Sequence, residues 1–124
     1  MKNWQNIAAE QSVLLKEVRN GAPEAMKGFS ALAAGALKAG ALDTRTKELI
    51  AVGISVAVRC DPCIAFHTKA ARAAGATREE IMETVATAIY MGAGPSYMYA
   101  AQAVEAYDQF AAAAAAAAEA KPAG

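Results

Sequence analysis

The only two cysteines and the only histidine of this 124-residue chain stand within one eight-residue run, Cys60-Asp61-Pro62-Cys63-Ile64-Ala65-Phe66-His67. The pattern is C-x-x-C-x-x-x-H. A helix advances about 100° per residue, so on a helix the three side chains fall within about 60° of one another. A base is thereby set against a redox-capable thiol pair. The thiolate is the reactive form of cysteine, and it is favoured at a helix N-terminus, beside a cationic base and in a C-x-x-C pair. Pro62 suits the first turn of a helix. Both cysteines then lie in an opening turn whose unpaired backbone N–H groups favour negative charge. His67 follows Cys63 by one turn on the same face and reaches it directly or through one water. Cys63 is therefore the better-activated thiol. A peroxide would oxidise it to a sulfenic acid, and Cys60 would condense with that acid to a disulfide. The thioredoxin-type order, in which the first cysteine attacks, competes with this assignment.

Two other readings apply to the same residues. Cysteines can be small buried hydrophobes and a histidine a satisfied core residue, but their clustering argues against it. Two thiolates and an imidazole are also good zinc ligands. A structural zinc site takes four ligands, and with no further cysteine or histidine a carboxylate, a water or another subunit would have to complete it. Thiol chemistry without metal or cofactor is the favoured reading.

Glu48 stands twelve positions before Cys60. If the segments before and after Cys60 form an antiparallel helical hairpin, Glu48 lies about 16 Å back along one helix and His67 about 10 Å along the other. The difference of about 6 Å can be bridged by two side chains and a water. A carboxylate there would orient the imidazole and raise its basicity. The alternative is a solvated glutamate in the first turns of a capped helix.

The elements that must position these groups read as helices throughout. Trp4, Ile7, Gln11, Leu14, Leu15 and Val18 follow three-and-four spacing up to Asn20-Gly21. Pro23 opens a second helix with Met26, Phe29, Leu32, Ala33, Ala36 and Leu37, ending at Gly40. Asp43 or Thr44 caps a third, which runs to about Arg59. Its apolar body, Leu49 to Val58, reads as a fully buried helix rather than a strand. A fourth helix opens at Pro62 and ends at Gly75. Thr77-Arg78-Glu79-Glu80 is a capping box for a fifth. Gly92-Ala93-Gly94-Pro95 breaks the chain before a sixth, which begins near Ser96. The eight alanines Ala111 to Ala118 predict a frayed helical tail with little to bury, disordered by Lys121-Pro122-Ala123-Gly124. The organisation expected is one all-α domain over 1–110 and an alanine-rich tail over 111–124.

Hydrophobic residues make up 56% of the chain but aromatics only 6%, and alanine dominates. Large side chains are too few for a big monomeric core, which favours close helix packing and further burial between copies in a homo-oligomer. Twelve basic residues balance twelve acidic ones, so no charge excess points to nucleic acid or a membrane surface. The first residues lack the apolar run of a signal peptide, and Leu49–Val58 is too short to span a bilayer. A cytoplasmic location is the expectation. In a reducing compartment a cysteine pair is catalytic or metal-binding more often than a staple. Tyr90, Tyr97, Tyr99 and Tyr107 fit packing with a hydrogen-bonded hydroxyl better than a pocket lining. Trp4, Phe29 and the methionines fit a core or an interface.

Glu48, eleven intervening residues and then Cys60-x-x-Cys63-x-x-x-His67 resemble the alkylhydroperoxidase D-like branch of the carboxymuconolactone decarboxylase family. Arg45-Thr46-Lys47-Glu48-Leu49-Ile50 resembles the family's approach to the motif. Ala74-Gly75-Ala76-Thr77-Arg78-Glu79-Glu80-Ile81 resembles its next helix junction, and Gly92-Ala93-Gly94-Pro95 its later break. The likeness covers about residues 23 to 107. It implies an all-helical fold of about six helices assembling into trimers or hexamers. It implies peroxidase or disulfide reductase activity, with a Glu48–His67 relay deprotonating Cys63, a small-molecule peroxide as substrate and a thiol or disulfide as electron donor. Relatives can carry a histidine just before the second cysteine, where this chain has Pro62, so one proton-handling group is missing. The decarboxylase branch does not rely on a C-x-x-C pair, and the thiols argue against it.

Overall fold

The computed structural model describes residues 1–121, and among them every regular element is helical. The order is α1 (Trp4–Gly21), α2 (Pro23–Leu37), α3 (Thr44–Ala57), α4 (Asp61–Ala73) and α5 (Arg78–Ala120). Each start has a local cause. The Asn3 side chain accepts from the Asn6 N–H at 3.0 Å to cap α1, and Asp43 accepts from the Thr46 N–H at 2.7 Å to cap α3. Hydrogen bonding from the Thr46 side chain and from its backbone N–H holds the Asp43 carboxyl below its ordinary value. Pro23 occupies the first turn of α2. At α5 the Glu80 N–H donates to Thr77 Oγ1 at 3.1 Å and the Thr77 N–H donates to Glu80 Oε1 at 2.9 Å, the reciprocal capping box.

The sequence predicts six helices where the structure has five elements, because α5 contains the expected break rather than ending at it. Ala93 has φ 57° and ψ −146°, and Pro95 follows inside the helix. Proline cannot donate to the preceding turn and disfavours helical geometry at the residue before it. The chain resumes helical geometry at once, so two segments join at a kink. Gly92 is required there, since a Cβ would run into the Ser96 side chain. The alanine tract is helical, with α5 continuing to Ala120. The expectation of disorder over 121–124 falls, for 122–124, outside the described residues.

The core lies where α3, α4 and α5 meet. Val52 and Val56 of α3, Ile64 and Ala65 of α4 and Ile81 of α5 are fully buried, and Trp4 of α1 closes one end. Alanines such as Ala71, Ala103 and Ala106 are also fully buried, which brings the helix backbones close together. Tyr107 donates its hydroxyl to the Ala76 carbonyl at 2.8 Å, whereas Tyr90 and Tyr97 are exposed. The Leu49–Val58 run is helical but not fully buried as expected. Glu48, Val52, Ser55 and Val56 face inward, while Ile50, Ile54 and Val58 stay 47%, 58% and 63% exposed. Their four-residue spacing makes a second apolar stripe on the outer face. α2 has no buried residue at all.

Candidate active site

A short linker joins α3 to α4, and it makes the site. At the end of α3 the Arg59 N–H donates to the Val56 carbonyl at 3.2 Å and the Cys60 N–H donates to the Ser55 carbonyl at 3.1 Å. Arg59 takes φ 58°. This is a Schellman ending with Arg59 in the left-handed position. The same motif ends α4, where Gly75 (φ 97°) donates to Arg72 and Ala76 to Ala71, both at 2.9 Å. Cys60 thus closes α3 and at once serves as N-cap of α4. Its Sγ accepts from the Cys63 N–H at 3.3 Å. The two α-carbons are 5.2 Å apart and the sulfurs are joined as a disulfide. Both residues are half-buried.

The hairpin returns His67 alongside Glu48. His67 Nδ1 lies 2.7 Å from Glu48 Oε2, with the glutamate side chain 7% exposed and the histidine 31%. Glu48 is therefore an inward-facing residue of α3 and not a solvated one, and the contact is direct with no water between. A carboxylate only accepts, so this bond places the proton of a neutral imidazole on Nδ1 and leaves the Nε2 lone pair free. Charge-assisted bonds of this length are stronger than neutral ones, and burial removes competing water. Cys63 and His67, four residues apart on α4, are neighbours on one helix face, with about 5–6 Å between Cβ atoms. Thr68 sits beyond them fully buried, its hydroxyl donating to the Ile64 carbonyl at 2.7 Å.

All four residues singled out by spacing, Glu48, Cys60, Cys63 and His67, are thus brought to one α3–α4 hairpin. Among the described residues no group of three or more His, Cys, Asp and Glu side chains is arranged to hold a metal ion. The sequence reading missed one contact. Lys2 Nζ donates to Asp61 Oδ2 at 2.6 Å, which places a cation on the carboxylate inside the C-x-x-C turn. The acid was visible in the motif, but nothing local signals a partner 59 positions away.

The carboxymuconolactone decarboxylase family model matches residues 23–106, a span holding the whole hairpin. An uncharacterised protein of Cupriavidus necator is 43% identical over 86 residues, covering 69% of this chain and 76% of its own. A protein of the cox locus of Paracoccus denitrificans is 44% identical over 81 residues, covering 65% and 73%. The crystal structure of a family protein of Legionella pneumophila, in its apo form, superposes with a TM-score of 0.84 at 48% identity, covering 86% of this chain and 96% of that one. A family protein of Thermotoga maritima, described with a suggested part in the antioxidative response, gives a TM-score of 0.74 at 29% identity and covers 84% and 88%. The thiol pair and the Glu48–His67 contact are consistent with the alkylhydroperoxidase D-like branch, and on sequence and fold alike the chain belongs to the carboxymuconolactone decarboxylase family.

Proposed function

We propose that this chain is a thiol-dependent peroxidase and disulfide oxidoreductase. The observation that carries the reading is the buried Glu48 carboxylate 2.7 Å from His67, one helical turn from a cysteine paired with Cys60. In the proposed cycle His67 Nε2 takes the Cys63 thiol proton, and Glu48 stabilises the imidazolium. The Cys63 thiolate attacks a peroxide oxygen, the O–O bond breaks and an alcohol leaves with the proton that His67 returns. Cys63 is then a sulfenic acid. The Cys60 thiol condenses with it, releasing water and forming the disulfide. Two electrons and two protons from a thiol donor restore both thiols. The suggested antioxidative part of the Thermotoga maritima protein supports the same chemistry. The cycle as written draws on these four residues, the peroxide and the thiol donor.

The Cys63 N–H bond to Cys60 Sγ favours a second order of events. It stabilises a thiolate on Cys60, as an N-cap sulfur accepting from the helix, and suits attack by Cys60 on a disulfide substrate. The peroxide step remains with Cys63, beside the base.

The reading includes assembly into a homo-oligomer, a trimer or hexamer by resemblance. Its support is the apolar surface one chain leaves uncovered. Phe29 and Leu32 of α2, Ile54 of α3 and Met91 of α5 are 63%, 66%, 58% and 76% exposed. A groove of about 480 Å³ lies between α3 and α5, lined by Leu49, Ile50, Ile54, Thr84 and Met91 among others. Obligate interfaces resemble a domain core cut in half. No described helix is long and apolar enough to cross a membrane, and a cycle that ends in disulfide reduction suits the reducing cytoplasm.

The test is a free-thiol count by alkylation before and after one equivalent of hydroperoxide. Loss of two thiols per chain, with a Cys60–Cys63 linked peptide on non-reducing mapping, is the expected result. Inert thiols, or thiols that pair only between chains, would sink the proposal.

A further inference from the structure

We infer that Lys2 is a positioning residue for the thiol pair: by neutralising Asp61 it sets how readily Cys63 ionises and how easily the Cys60–Cys63 disulfide is reduced. The inference rests on the proposed reading of that pair as a redox couple.

Asp61 is the first residue of α4, bonded directly to the N-cap Cys60. A helix N-terminus stabilises a nearby anion, and here two anions compete for it, the Asp61 carboxylate and a cysteine thiolate. A like charge this close disfavours the thiolate. Lys2 removes much of that penalty. Its Nζ lies 2.6 Å from Asp61 Oδ2, donates also to Gln102 Oε1, and stands 5.5 Å and 5.8 Å from the ring centroids of Trp4 and Tyr99. An exposed lysine–aspartate pair is worth little to stability. Its interest is that the cation is held in one place.

The holding is built into the backbone. The Trp4 N–H donates to Gln109 Oε1 at 2.8 Å, and Gln109 Nε2 donates back to the Lys2 carbonyl at 2.7 Å. The Trp4 indole N–H donates to Glu105 Oε1 at 2.8 Å, and the Lys2 N–H reaches the same oxygen at 3.2 Å. The Trp4 ring is fully buried. The first residues are thus clasped to α5 and lay an ammonium on the opening turn of α4. The charged groups gathered about that turn are Arg59 before it, Asp61 and His67 on α4, Glu48 on α3, Glu105 on α5 and Lys2. Asp61 is the carboxylate that Lys2 reaches with its side chain.

The two ends of this pair have opposite signs, which separates tuning from mere structural support. Lys2→Met leaves a bare carboxylate beside the thiols. It should slow iodoacetamide alkylation of Cys63 about three- to tenfold at neutral pH and make the disulfide harder to reduce. Asp61→Asn leaves an unopposed cation and should do the reverse by a similar factor. The double variant should lie nearer the parent than either single one, and Lys2→Arg should match the parent. Reduction breaks the S–S bond with two electrons and two protons, both supplied by dithiothreitol as it closes its own disulfide. The reduction equilibria should converge near about pH 5 and separate toward about pH 9, because the effect acts through the thiolate and shows only where that form is populated. The experiment is the alkylation rate and the dithiothreitol equilibrium of the full chain and these variants across that range. If the parent chain cycles but Lys2→Met and Asp61→Asn move the same way, or neither moves, the tuning inference is wrong and the functional proposal stands. If the parent chain cannot close and reopen the Cys60–Cys63 bond at all, both are wrong.

Discussion

α2 and α4 are close in length, 15 and 13 residues, and opposite in fate. α2 carries Met26, Phe29, Leu32 and Leu37 yet buries none of them within the chain. α4 carries Asp61, His67, Lys69 and Arg72, but Ile64, Ala65, Thr68 and Ala71 are buried against its neighbours. Hydropathy states that a side chain is better out of water. It does not state which surface receives it. α4 finds that surface in α3 and α5 and holds Cys63 and His67 on a fixed helix. The apolar face of α2 finds only partial cover in its own chain, with Met26 and Leu37 half-buried and Phe29 and Leu32 exposed. The same division runs through α3, whose inner face holds Glu48 and Val52 while Ile50, Ile54 and Val58 look outward.

The comparison breaks if the chemistry depends on α2 as directly as on α4. Cys63→Ser should abolish peroxide reduction outright, while Cys60→Ser should leave a sulfenic acid on Cys63 that a dimedone probe traps. Leu32→Ser on α2 should leave the first oxidation step in place and change the sedimentation coefficient instead. An α2 variant that keeps its assembly but loses thiol oxidation would overturn this division.

Next in size are the two residues behind Cys63. General-base catalysis contributes about 10²–10⁴-fold. His67→Ala should slow peroxide-driven oxidation of Cys63 within that range in stopped-flow traces, and Glu48→Gln should slow it less. The double variant should lose less than the two single losses combined, because residues acting as one unit are non-additive. An unchanged rate and pH profile for Glu48→Gln would reduce Glu48 to a structural partner of His67.

Stability sharpens the contrast further. Ile64 on α4 is fully buried, and Ile64→Ala should cost about 2–5 kcal/mol in urea unfolding. Phe29→Ala on α2 removes a larger side chain from a site 63% exposed in the single chain. Its effect should therefore depend on protein concentration, appearing as weaker assembly, whereas the Ile64 effect should not.

The smallest expected change lies at the joint. Gly75 and Arg59 occupy the same left-handed position at the ends of α4 and α3, where a side chain is strained and glycine is not. Arg59→Gly should raise the unfolding midpoint by the equivalent of about 1 kcal/mol or less. Gly75→Arg should lower it by a comparable amount.

Much of this fold can be read along the chain, and the reasons are local. A capping box needs only Thr77 and Glu80, a helix start only Asp43 or Pro23, and the Cys60–Cys63–His67 cluster only the pitch of one helix. Those features were legible because each is settled within a turn or two of chain. The kink in α5 was legible for the same reason, from Gly92 and Pro95, with the restart placed near Ser96, although not that non-helical geometry would be confined to Ala93. Glu48 was legible in part. Its distance from Cys60 placed it near the level of His67, but its 2.7 Å contact and its burial depend on how α3 rotates against α4. Packing settled which face of α3 turned inward, covered α2 only in part and laid Lys2 on Asp61 across 59 positions. Those outcomes are set by packing between distant segments, and the spacing of residues along one segment carries no record of its neighbour.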